Sequence, residues 1–186
     1  MILLLKLLFV ATDKLGRDYK LDGAAVETYL LERSRITFHG MGERNYHVFY
    51  MMMFGPSTDL VKSFGVEGGP KAFSYMCPTK DNQKQTTGWE PTQKQIDMDK
   101  RNYQEMDLAL EQVGILGKEK NEIWSILAAV LHMGNWIFED PADAKDGEAR
   151  ITAATQGSVD MAAKLFGVPP GPLVKVFTER HVVTPG

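Results

Sequence analysis

The chain has one cysteine, Cys77, in 186 residues. No internal disulfide can form, which suits a reducing compartment. No His or Asn stands beside Cys77 to activate it, so it reads as buried packing rather than as a nucleophile. Charge of one sign is also scarce, because 21 Lys and Arg are scattered among 24 Asp and Glu for a net −3. That balance provides no basic face, and nucleic-acid binding is not expected. Long apolar runs are missing too. The run Met1 to Val10 is about half the roughly 20 residues of a membrane span. It carries Lys6 inside and no basic residues ahead, so it reads as a buried strand rather than a signal peptide. A secreted chain would be cleaved near Ala11. The expectation is a soluble, intracellular protein with no membrane span.

Motifs that carry chemistry are absent as well. A phosphate loop needs Gly-x-x-x-x-Gly-Lys-Ser/Thr after a strand, because its backbone N–H groups cradle phosphate oxygens. The nearest stretch, Gly65-Val66-Glu67-Gly68-Gly69-Pro70-Lys71, lacks the spacing, follows no strand and loses a donor at Pro70. It reads as a turn. His39, His47, His132 and His181 are isolated in sequence, with no His-x-x-x-His pair. His47 and His132 sit on apolar helices and read as hydrogen-bonded core histidines. Asp97 and Asp99 fall at the end of a loop, with no calcium-loop glycine or closing Glu in register. There is no Gly-x-Ser-x-Gly elbow. No catalytic, cofactor-binding or metal-binding residue is assigned.

What is present is an organised set of elements, and 44% hydrophobic residues suffice for a core. Residues 3–11 and Tyr19–Leu31 read as two strands of an antiparallel hairpin, with a bulge near Gly23. Arg35–Phe38 adds a short third strand. Tyr46, Phe49, Tyr50 and Met53 have helical spacing, and Met51 and Met52 make that helix apolar all round. Asp59–Phe64 forms a short helix, and Thr79–Lys94 is a polar loop whose Trp89 folds back on the body. Helices follow over Tyr103–Val113, then over a stretch whose repeating face is Ile123, Ile126, Leu127, Val130 and Leu131, and then from a Ser158 cap with Val159, Ala162, Ala163 and Phe166 as its face. Pro169-Pro170 opens the last, with Leu173, Val176 and Phe177 inward. The fold class is therefore α+β and mostly helical: an N-terminal β-hairpin followed by five or six helices. Two strands alone make a poor sheet, which points to a piece of something larger.

Two motifs stand out. Tyr29-Leu30-Leu31-Glu32-Arg33-Ser34-Arg35-Ile36 is followed by Gly42-Glu43-Arg44-Asn45-Tyr46-His47-Val48-Phe49-Tyr50. From spacing alone these charges are either surface ion pairs worth roughly 0–1 kcal/mol each or a partly desolvated network in which Arg forks onto carboxylates. Further on, Ser125 to Asn135 ends in Leu131-His132-Met133-Gly134-Asn135, and Ala162 to Val168 precedes Leu173 and Arg180. In order and approximate spacing from about residue 19 to 183, this series resembles the myosin motor head.

The resemblance implies an internal fragment of that P-loop NTPase-type fold. Residues 1–38 are similar to the transducer, the distal strands of a twisted central sheet. Residues 43–186 are similar to the helical, actin-facing upper half. The parent would be an actin-activated ATPase using ATP and Mg, cytoplasmic and cytoskeleton-associated. The phosphate loop and both switches lie outside this stretch, so the segment itself is expected to bind no cofactor and to be inactive alone. Its partners would be the rest of the motor domain and, through the complete head, the actin filament. The resemblance places Glu32, Arg35, Glu43, Arg44 and Asn45 where sheet distortion passes to the actin-binding cleft, which favours a coupling network. Met51-Met52-Met53-Phe54 departs from the family's usual Gln-Leu-Leu-Ala, and Thr79–Lys94 fits it poorly. The alternative is a stand-alone, non-catalytic helical binding module derived from a motor head.

Overall fold

The computed structural model describes residues 2–13, 16, 18–29, 32–40, 43–77, 79–80, 83–84, 90–141 and 149–179. They fall into two units, Met1–Arg35 and Ile36–Gly186.

The first unit is the expected hairpin. Strands β1 (Ile2–Ala11) and β2 (Tyr19–Tyr29) pair antiparallel, with Ile2 opposite Tyr29 and Ala11 opposite Tyr19. The register shifts between Leu8, opposite Gly23, and Phe9, opposite Leu21. Asp22 is thus the extra residue of a bulge, next to the glycine that marks it. Neighbouring strand residues point to opposite faces, yet Leu7 and Leu8 are 50% and 52% exposed. At Leu7 to Val10 both faces of the ribbon therefore expose apolar side chains. The third strand expected over Arg35–Phe38 does not form, because Arg33–Ile36 winds as a 3-10 turn. Arg35 Nε donates to Glu32 Oε2 at 2.7 Å, an i,i+3 pair that a helical turn brings together and a strand does not.

The second unit is helical. Helix α1 (His47–Phe54) buries every residue from Phe49 to Met53, as its all-apolar pattern predicts. Its His47, however, is exposed and is no core histidine. Helix α2 (Thr58–Ser63) is capped by the Ser57 side chain, which accepts from the Leu60 N–H. Thr79–Lys80 (β3) pairs with Gln83–Lys84 (β4) inside the expected loop, while Trp89 lies outside the described residues.

Helix α3 runs from Gln93 to Gln112, starting ten residues ahead of the expected Tyr103. The overlooked signal is a capping box: Thr92 Oγ1 accepts from the Gln95 N–H, and Gln95 Oε1 accepts from the Thr92 N–H at 2.8 Å. Asp97 and Asp99 are consequently helical, not the end of a loop. Where α1 ends, Gly55 lies so close to Tyr103 that a Cβ would stand 2.2 Å from the Tyr103 Cβ and Cγ. The first core joins Phe49, Tyr50 and Met52 to Phe73, Met76 and Trp124.

Helix α4 (Gly117–Met133) buries Trp124, Ala128, Ala129 and Leu131, whereas Ile126 is exposed. Small alanines, not the branched residue, face the core because α5 packs closely there. Helix α5 (Gln156–Phe166) starts two residues before Ser158, so Ser158 is not its cap. A short strand pair, Phe138–Glu139 (β5) with Arg150–Ile151 (β6), leads into it. In α6 (Pro170–Thr178) the inward residues are Leu173 and Val174, and Val176 is 74% exposed. Leu173, Val174, Val176 and Phe177 share one half of the helix, and the edge toward Val174 rather than the edge toward Val176 turns inward. Phe177 meets Trp136 edge-on at 5.3 Å while remaining partly exposed. Among the described residues no helix is long and apolar enough to cross a membrane.

Candidate functional site

The residues ahead of α1 are polar, and the helix they enter is buried, so each polar group there needs a partner. Asn45 is fully buried. Its Nδ2 donates to the carbonyls of Ile36 at 3.1 Å and Tyr75 at 2.5 Å, and its Oδ1 accepts from the Tyr46 N–H at 2.7 Å. The Asn45 N–H donates to the Tyr50 hydroxyl at 3.2 Å. One amide therefore pins the 3-10 turn, the start of α1 and the segment near Tyr75.

Arg44 turns to α3. Its Nη2 donates to Asp99 Oδ2 at 2.6 Å, with the two side chains 11% and 1% exposed. Its Cζ lies 3.8 Å from the centroid of the Tyr50 ring, within cation–π range. Burial pushes the Tyr50 phenol up; the Asn45 N–H and the Arg44 cation offset part of that rise. Arg44 and Asn45 thus converge on Tyr50. Glu43 Oε2 accepts from the Gly40 N–H at 3.3 Å. Glu32 and Arg35 pair with each other in the first unit, on a more exposed surface.

Asp99 is the partner that sequence reasoning missed. Its position in helix α3, three turns of which precede Tyr103, was hidden by the unread capping box.

A second pin closes the end of α4. His132 Nε2 donates to the Phe64 carbonyl at 2.9 Å, which fixes the proton on that nitrogen, and Phe73 packs edge-on at 5.2 Å. Burial holds the His132 imidazole below its usual pKa, with the Phe64 bond working the other way. Asn135 accepts from the Ser74 N–H at Oδ1 and donates from Nδ2 to the Ala72 carbonyl, both at 2.7 Å. At Gly134 a Cβ would stand 2.5 Å from the Tyr75 ring, so only glycine lets that ring approach. Both motifs therefore grip one short segment, Ala72–Tyr75.

The glycine-rich stretch does not fit a triphosphate. The N–H groups of Gly65, Val66 and Gly69 donate to the carbonyls of Lys62, Val61 and Val66, and Pro70 has none to give. Among the described residues no three His, Cys, Asp or Glu side chains converge as a metal site would need.

The myosin head (motor domain) family matches residues 10–185. Myosin-K heavy chain of Dictyostelium discoideum is 32% identical over 160 residues, 86% of this chain and 17% of that protein. Myosin-14 of Arabidopsis thaliana is 34% identical over 181 residues, 97% of this chain and 11% of that one. Unconventional myosin-Ic of Mus musculus is 29% identical over 164 residues, 88% and 14%. The chain thus spans well under a fifth of the length of these relatives.

Proposed function

Because the chain belongs to the myosin head (motor domain) family, we propose that it forms part of an actin-based, ATP-driven cytoskeletal motor. Within that motor it carries the region that passes motion between the nucleotide-site sheet and the actin-binding cleft. The observation that carries this reading is the buried cluster ahead of α1, where Arg44 and Asn45 tie α1, α3 and the Ala72–Tyr75 segment together. The Asn45 side chain is buried with both its oxygen and its nitrogen hydrogen-bonded, which makes it rigid, and rigidity is what a transmitting element needs. Glu32, Arg35 and Glu43 belong to the same proposed coupling region. Phosphate and magnesium contacts belong to other parts of the motor, since the N–H groups of the glycine-rich stretch are spent within its own turns.

The test is the ATPase of the longest polypeptide encoded around these residues, measured with and without filamentous actin, beside the 186-residue chain alone. Hydrolysis should rise with actin in the longer protein and be absent in the chain. Turnover by the pure chain defeats the assignment of the nucleotide site elsewhere. For the coupling role, Arg44→Met combined with Asp99→Leu, an apolar pair of similar volume, should lower the actin-activated rate in the longer protein while leaving the basal rate nearly unchanged. Equal loss of both rates defeats it.

A further inference from the structure

Asp99 is a buried carboxylate on α3 that belongs to neither motif. Its Oδ2 receives Arg44 at 2.6 Å, and its Oδ1, equally buried, accepts no hydrogen bond from the protein. Arginine carries about 2 kcal/mol of rotamer entropy, so something must decide where its guanidinium rests. The Tyr50 face contributes on the order of 0.5–2 kcal/mol, whereas a charge-assisted bond to a buried carboxylate is the stronger and more directional contact. The contact joins residues 55 apart in sequence and is made by one guanidinium nitrogen rather than by the two-pronged fork that Arg can offer.

We propose that Asp99 is the positioning residue of this cluster: beside the hydrogen bond that Arg44 makes with the Tyr50 phenol, its carboxylate holds the Arg44 guanidinium over the Tyr50 ring and so clamps α3 to the segment leading into α1, through a charge-assisted bond that can release. The clamp is a property of this chain. Its use in passing motion rests on the motor reading above.

The groups facing the Tyr50 phenol are the Arg44 guanidinium, the Asp99 carboxylate and the Asn45 N–H. Removing the Asp99 charge therefore gives opposite outcomes under the two accounts. If Asp99 positions Arg44, then in Asp99→Asn the guanidinium leaves the ring and the phenol loses its stabilising cation. Tyr50 then titrates higher. If Arg44 keeps its place unaided, only the repelling carboxylate is lost and Tyr50 titrates lower.

The experiment is a pH titration of the full 186-residue chain, labelled at tyrosine Cζ and followed by carbon NMR, with Tyr50→Phe assigning the signal. It is paired with amide hydrogen exchange. The expected result is an upward movement of Tyr50 and about tenfold faster exchange over 93–104 with residues 117–133 unchanged, a local opening. A downward movement, an unmoved Tyr50, or equal acceleration of α3 and α4 overturns the proposal. Should Asp99→Asn not fold, Arg44→Lys asks the same question. An ammonium drawn to Asp99 leaves the ring and Tyr50 again moves up, whereas an unmoved Tyr50 overturns the clamp. These readouts do not involve actin or ATP. A clamp present here with actin activation unaffected in the longer motor would count against the coupling reading alone.

Discussion

Replacing Arg44 by Met removes the guanidinium while keeping an unbranched stem that can lie on Tyr50. The partner left behind, Asp99, has a side chain only 1% exposed. Breaking a buried pair by removing one ion costs about 3–5 kcal/mol, because the remaining charge stays desolvated without compensation. The lost cation–π contact adds about 1 kcal/mol. Against the roughly 5–15 kcal/mol that holds a typical domain, this is a severe single change. Arg44→Met combined with Asp99→Leu should behave differently, since an apolar pair of similar volume is often neutral or stabilising by about 1–4 kcal/mol. The double variant is therefore expected to be more stable than the single one. Urea unfolding read by fluorescence of the buried Trp124 and Trp136, with far-UV circular dichroism as the second probe, measures both. A single variant costing under about 1 kcal/mol, the value of an exposed pair, with no recovery in the double, would refute the burial argument.

Asn135→Ala strands the Ser74 N–H and the Ala72 carbonyl; it should cost about 1–3 kcal/mol and speed hydrogen exchange over 70–77 before other segments. Gly134→Ala drives a methyl into the Tyr75 ring and should cost about 1–3 kcal/mol as overpacking, measured by thermal unfolding. His132 has its pKa lowered mainly by burial. Its stabilising contribution is therefore complete above the unfolded value near 6.5 and is lost as pH falls toward the lower folded value. The Tm of the parent chain should drop more between pH 7.5 and 5 than that of His132→Gln, which keeps an N–H for Phe64; parallel curves would show that His132 is not the titrating group.

Long periodic segments were legible and short or capped ones were not. Helix α1 declares itself because Tyr46 to Met53 is apolar on every side, and the hairpin because two apolar runs flank a polar turn. Helix α3 was cut short because its first two turns, Gln93 to Lys100, are nearly all polar. The pattern of apolar residues carries no information there, and the signal sits instead in Thr92 and Gln95, whose side chains close the helix N-terminus. Helix α6 failed differently: its apolar residues share one half of the helix, and neighbours such as Trp136 and Val159 determine which edge of that half turns inward. Arg35–Phe38 is too short for alternation to outweigh a local i,i+3 ion pair.

The candidate site was half visible for a related reason. A motif names the side chain that reaches out, but not the group that receives it. Arg44 stood out by its charge beside a buried helix, while its place in a network and that of Asn45 came from the resemblance to the motor head. Their receivers are Asp99, hidden in a misread helix, and main-chain carbonyls, which no sequence distinguishes. Asn135 poses the same problem, since Leu131-His132-Met133-Gly134-Asn135 reads as a helix end and nothing more. The structure gives the two asparagines a common object. Asn45 holds the Tyr75 carbonyl, Asn135 holds the Ala72 carbonyl and the Ser74 N–H, and Gly134 admits the Tyr75 ring. Ala72–Tyr75 is wound in 3-10 turns, and these two amides hold it, together with the buried Phe73, which packs on His132. A displacement of Asn45 must then move the segment that Asn135 grips, or break a buried hydrogen bond at about 1–3 kcal/mol. Two motifs 90 residues apart in sequence thus act on one four-residue strut, and a shift at the start of α1 reaches the end of α4 without passing through either helix.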